Sequence, residues 1–290
     1  MPYVENRIVH DADSHLMELP DCLDAYFDPK RKADYHALPS FQHKLGKAGW
    51  ADQARARQRD ETFRGDGDSN ILLRKNYEAM GAFERSDRPH ALDLLGFASQ
   101  LVFTTFCLGN FGLDQGKDAD LAYAAAQAHN RMMTDFCSVD RRFLPTGYVP
   151  LMDRARAPAA AKEAIELGAS WVPGWMRFMD SAHGAFIKNE ERLQKLSMRP
   201  SEFVRRQFRV TPYPHEDTAW IVANAGEEVA LFSSDYPHVE GGRNPLKRFN
   251  DSLAETSPRA VDRFYRENFI DLMGEGLAAD LRRPAHLVAA

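Results

Sequence analysis

The chain has 290 residues, with 37 Lys+Arg against 42 Asp+Glu, a net charge of −5 and 44% hydrophobic residues. That balance, with 18 Phe, 9 Tyr and 4 Trp, is that of a soluble globular protein and excludes disorder as the main state. A mildly acidic chain has no global electrostatic reason to seek nucleic acid or an anionic membrane, so neither is expected as a partner.

The cysteines Cys22, Cys107 and Cys137 are odd in number, far apart and form no CxxC pair. Reduced thiols in a cytoplasm are expected, not a disulfide scaffold or a zinc ribbon. Met1 to Arg7 lacks the apolar run of a secretory leader. The longest uncharged run, Leu94 to Leu113, is interrupted by Gly96, Gly109 and Gly112 and reads as a strand with loops.

The first strand signal is residues 7–13, apolar at Ile8-Val9 and polar at Asp11, Asp13 and His15. From Leu19 the text is polar and irregular for some eighty residues. This insertion (19–98) has short helices expected at 21–27, 46–60 and 69–83 and a loop at Gly65-Asp66-Gly67-Asp68. A second strand is expected at 100–105. The periodic Leu121, Ala124, Ala125, Ala128, Met132 and Phe136 predict a helix over 118–140. A third strand (143–149) and a helix (157–167, closed by Gly168) follow. Strand, helix, strand, helix argues a parallel sheet with crossover helices. Further on, helices are expected at 174–196, at 201–208 with Ser201 as N-cap, and at 216–225. Extended pieces fall at 209–214 and 229–234. A last helix is capped by Ser257, has Pro258 in its first turn and closes at Gly274. Five strand candidates are fewer than the eight of a (β/α)8 barrel.

Asp11, Asp13 and His15 alternate, so they share one face of their strand. Carboxylate and imidazole converging at a strand end can share a divalent cation; equally, Asp13 or His15 can cap the next helix. Phe232-Ser233-Ser234-Asp235-Tyr236-Pro237-His238 is an apolar strand ending in a carboxylate. Asp235 there can ligate a metal and take a proton from metal-bound water, or serve as a turn residue before Pro237. Glu18 is placed either at the pocket or in a helix first turn. His215, at the end of an extended segment, is a candidate near the same mouth, and Arg243 after two glycines can meet an anion or form an ion pair. His129 and His183 read as helix residues, and His10 is expected to face away from the Asp13–His15 pair.

Asp-Ala-Asp-Ser-His-Leu-Met-Glu (11–18) and Phe-Ser-Ser-Asp-Tyr-Pro-His (232–238) together resemble the amidohydrolase-2 family, related to aminocarboxymuconate-semialdehyde decarboxylase and the resorcylate decarboxylases. Asn268-Phe269-Ile270-Asp271-Leu272-Met273-Gly274 is similar to that family's terminal helix, so the resemblance spans residues 7–276. It implies a (β/α)8 TIM-barrel-type fold in one domain (1–276, with a tail at 277–290). It also implies one divalent metal ion, zinc first and manganese second. The ligands would be Asp13, His15 and Asp235, with Asp235 and His238 catalytic and Glu18, His215 and Arg243 around a small carboxylated, cyclic, ester or amide substrate. Association of copies is also expected.

The family further uses middle-strand histidines, which have no counterpart here. Ala161 to Ala169 resembles text before strand four, and Ser170-Trp171-Val172-Pro173-Gly174 resembles text after strand six. The expectation is an incomplete barrel of five to six strands, shortened by an in-frame loss with its junction at 166–170. A chain that lost those histidines could instead be a catalytically silent remnant without metal.

Overall fold

In the computed structural model, the described residues are 2–38, 49–69, 71–107, 109, 113, 118–148, 150 and 169–282. Among them the chain divides into two compact units. The first gathers residues 2–5, 13–150 and 235–239; the second gathers 6–12, 169–234 and 240–282. Neither unit is continuous in sequence.

In the first unit, strand β1 (His10–Leu16, which begins in the second unit), β2 (Ser99–Thr104) and β3 (Phe143–Pro145) lie in the order β1-β2-β3. β2 and β3 run parallel, with Gln100 opposite Phe143 and Leu101 opposite Leu144. The connecting helix over Ala119–Cys137 matches the predicted period: Leu121, Ala125, Ala128, Met132 and Phe136 are all buried. Asp118 starts it by accepting from Leu121 N at 2.9 Å, one of the donors a helix end otherwise leaves unpaired.

The insertion after β1 is more helical than its polarity implied. Helix α1 is Pro29–His36, α2 Trp50–Arg59, α3 Glu61–Ser69 and α4 Arg88–Leu95; the helix over Ala119–Cys137 is α5. Three expectations are corrected here. Residues 21–27 form successive turns, and the helix waits for Asp28, whose side chain caps Lys30 N. The Gly65–Asp68 stretch is inside α3, started by Asp60 accepting from Phe63 N at 2.8 Å. Among the described residues from 71 to 83, the only helical piece before α4 is the 3-10 turn Asn76–Glu78, opened by Asn76 at φ 53°. Gly81 has φ 65°, and a Cβ there would lie 2.6 Å from Arg88 Cα, so only glycine lets this loop reach α4.

Arg88 is fully buried. Its guanidinium donates to His15 O at 3.0 Å, Gly81 O at 3.2 Å and Gln100 Oε1 at 3.3 Å. It lies 5.4 Å from the centre of the Tyr236 ring. Five fixed donors suit such a junction of backbone acceptors.

The second unit packs α6 (Val172–Phe186), α7 (Glu191–Gln194), α8 (Pro200–Gln207) and α9 (Thr218–Ala225). Their core joins Val172, Met176, Val204, Val210, Ile221 and Val229. Ser201 is not the cap of α8. Its N–H and hydroxyl both donate to Asp180, at 2.9 and 2.7 Å, and so tie α8 to α6. The expected strands at 209–214 and 229–234 shrink to an isolated parallel bridge between Val210 and Ala230. Single hydrogen bonds from Leu231 N to Val210 O (2.9 Å) and Ala12 N to Phe232 O (3.0 Å) extend it.

The last predicted helix is three pieces after α10 (Pro245–Ser252): α11 (Pro258–Asp262), a π turn (Arg263–Glu267) and α12 (Asn268–Met273). The π turn has a cause. Phe264 O accepts from Phe232 N at 2.9 Å, which draws that carbonyl out of the helical ladder. Asn268 then donates to Glu227 O and Ala230 O at 2.7 and 2.9 Å. The Ser257 cap and Gly274 stop stand as read. The helix expected at 157–167 and residues 166–168 of the expected junction lie outside the described residues, as do 283–290.

Replacing Arg88 with Met should lower stability by at least about 2 kcal/mol, since three buried acceptors lose their donor. The urea midpoint should fall with no change in slope.

Candidate metal centre

β1 ends where the chain is pinned to residues 235–236. Asp235 N donates to Asp13 O at 2.9 Å and His15 N donates to Tyr236 O at 2.8 Å, with a parallel bridge between Ser14 and Tyr236. This pairing brings the two sequence motifs together. Asp13, His15 and Asp235 are buried, and His238 is partly so.

His15 Nε2 lies 3.1 Å from Asp13 Oδ1 and 3.4 Å from Asp235 Oδ1. His238 Nδ1 lies 3.1 Å from the same Asp235 oxygen, and the two imidazoles stack with centroids 3.9 Å apart. His15, Asp235 and His238 can each turn one ligand atom within 4.8 Å of the others. Donors about 2.1 Å from a tetrahedral ion stand roughly 3.4 Å apart, so the observed spacings fit one cation. The donor chemistry fits as well: carboxylate and imidazole are ligands of zinc and similar ions.

Asp235 sits at φ 53°, a left-handed backbone position rare for a residue with a side chain and best tolerated by Asp and Asn. Such outliers gather where a function over-determines the backbone. Burial works to raise the Asp235 carboxyl, but hydrogen bonds from His15 and His238 and their charge hold it below the usual carboxylate range.

Glu18 is buried, and its carboxylate is already engaged. It accepts from Thr105 N at 3.0 Å, Phe106 N at 2.8 Å, Cys107 N at 3.4 Å and the Thr104 hydroxyl. Burial raises its pKa, against the opposing pull of those backbone donors. Asp11, in the second unit, is likewise occupied: Ser234 donates to it through N (2.9 Å) and Oγ (2.6 Å). His215 and Arg243 also belong to the second unit and are exposed, His215 stacked on Tyr213 with centroids 5.5 Å apart. His10 stacks on Phe269, and burial, with the nearby Arg266 charge, pushes it down to about 4. His129 is a buried residue of α5 whose Nδ1 meets Asn130 Oδ1 at 2.9 Å.

Sequence reasoning missed Thr105, whose Oγ1 lies 3.0 Å from His238 Nε2. Nothing in the sequence marked it, because it reads as the last residue of the expected strand 100–105. Asp235→Val should be less stable than Asp235→Asn by roughly 1–2 kcal/mol, because a β-branched residue resists the left-handed position. Urea unfolding of the metal-free variants reads the difference.

No protein-family model and no curated protein matches the sequence. In shape the chain is similar to an amidohydrolase from Mycobacterium avium subsp. paratuberculosis K-10, with a TM-score of 0.66 at 17% identity over 93% of this chain and 100% of that one. It is more distantly similar to 5-carboxyvanillate decarboxylase from Sphingomonas paucimobilis, with a TM-score of 0.36 at 14% identity over 92% and 99%. A 2,6-dihydroxybenzoate decarboxylase complexed with 2,6-dihydroxybenzoate scores 0.32 at 12% identity over 93% and 99%. The two decarboxylases are too distant in shape to bear on the fold. The chain carries the fold of the mycobacterial amidohydrolase, in agreement with the amidohydrolase-2 resemblance of its end motifs.

Proposed function

We propose that Asp13, His15, Asp235 and His238 hold one divalent cation, and that the chain is a metal-dependent hydrolase or decarboxylase of the amidohydrolase type. The carrying observation is the excess of lone pairs. Two carboxylate oxygens face one nitrogen of His15, and one of them also faces His238 Nδ1. Carboxylates and imidazoles gathered this closely at low exposure form a donor set that a divalent cation satisfies.

A bound divalent ion would supply a Lewis acid that polarises a substrate oxygen and lowers the pKa of a water. The chain's own part is positional. Asp235 Oδ1 is the base that takes the proton of an attacking water in the hydrolytic branch. His15 and His238 flank that oxygen at 3.4 and 3.1 Å as its fellow ligands, and β1 fixes Asp13 through backbone hydrogen bonds. The family resemblance points to a small carboxylated, cyclic, ester or amide substrate, with zinc as the first metal and manganese as the second.

A catalytically silent remnant is the second reading. It is favoured by the segments at 209–214 and 229–234, which reach only isolated bridges among the described residues. Exposed Phe178 and Phe186 on α6 would then serve association.

Protein purified without chelator or affinity metal should contain close to one zinc or manganese per chain by elemental analysis, and Asp235→Asn should lose it. A folded wild-type chain that takes up no metal overturns the metal reading. If metal binds, turnover of carboxylated aromatics or simple esters separates enzyme from remnant.

A further inference from the structure

Resting on the metal reading above, we propose that Thr105 is a positioning residue: anchored by the buried Glu18 carboxylate, it fixes the tautomer of His238 so that Nδ1 presents its lone pair beside Asp235.

A chain of contacts within the first unit defines the arrangement. Glu18 gathers the backbone N–H groups of Thr105, Phe106 and Cys107 just beyond β2. A carboxylate accepting several backbone donors holds a loop rigidly, because each donor would otherwise be buried without a partner. Glu18 is held in turn: Tyr77 donates its hydroxyl to Glu18 O at 3.1 Å, and the Tyr77 ring stacks on Phe106 with centroids 5.7 Å apart. The loop therefore has little freedom to carry the Thr105 side chain elsewhere.

The hydroxyl then sets the direction of the hydrogen bond. Thr105 Oγ1 donates to Met17 Sδ at 3.7 Å. A hydroxyl has one hydrogen and two lone pairs. With its hydrogen directed at Met17, Oγ1 meets His238 Nε2, 3.0 Å away, as an acceptor. The imidazole thus carries its hydrogen on Nε2. In the neutral ring Nδ1, 3.1 Å from Asp235 Oδ1, then keeps its lone pair for a cation that the two atoms share. Histidines that ligate metals use this division of labour, one nitrogen for the metal and the other held by an acceptor. Glu18, expected from the sequence to meet substrate, acts here at one remove, through Thr105 and His238.

The test uses the full chain labelled with 15N-histidine, freed of metal, together with Thr105→Val, Thr105→Ser and His238→Gln. Long-range proton–nitrogen spectra report each imidazole's tautomer, and His238→Gln assigns the His238 signals. Titration with zinc alone, followed by calorimetry, gives affinity, and circular dichroism confirms folding of each variant. In the zinc-loaded wild type, His238 should carry its hydrogen on Nε2 alone. Thr105→Val should lose that single tautomer and bind zinc 10–100-fold more weakly, and Thr105→Ser should restore both. A folded Thr105→Val with an unchanged His238 spectrum and zinc affinity within twofold of wild type overturns the positioning role and leaves the metal reading standing. A wild type that binds no zinc, yet shows a His238 tautomer that depends on Thr105, supports the positioning role and overturns the metal reading alone.

Discussion

The arrangement of this chain's chemistry depends on two backbone hydrogen bonds, Asp235 N to Asp13 O and His15 N to Tyr236 O. They join residues more than 220 positions apart into a parallel pair, and they fix which side chains share a face. A slip of one residue would turn Asp13 and His15 away from Asp235. The buried Arg88 opposes that slip, because it holds the His15 carbonyl and the side chain of Gln100 on the neighbouring strand. The site is therefore built by backbone register first. The ionisable groups follow where the register puts them.

Much of the candidate site was legible in the sequence. Alternation along a strand places Asp13 and His15 on one face without any structure, and an apolar run ending in Asp235 marks the partner strand. His238 was expected beside Asp235 as a catalytic residue through the resemblance; its place among the donors comes from the turn at Asp235, whose left-handed backbone no spacing rule reports. Thr105 was invisible because a lone threonine after a strand carries no pattern. Glu18 misled for a related reason. A carboxylate three residues past a candidate ligand looks like a pocket residue, and only tertiary structure shows that it faces three backbone amides instead.

The fold shows the same division. The helix over Ala119–Cys137 followed its apolar period and its Asp118 cap closely. The polar insertion hid α3 and α4, because a helix with two internal glycines, or one that starts on a buried arginine, offers no clean amphipathic stripe. The terminal helix had correct signals at both ends, yet it is interrupted where Phe264 O reaches Phe232 N. A tertiary hydrogen bond overrode local propensity, which no window along the sequence can foresee.

Each compact unit borrows chain from the far end of the molecule. The first needs residues 235–239, and the second needs residues 6–12. A ribosome delivers the chain from the N-terminus, so the first unit waits for residues 235–239 and the second for residues beyond 240. Early strands must wait with their edges open until late residues arrive, a state in which unpaired strands are prone to wrong partners. The long-range pairings make assembly of each unit slow compared with helix formation.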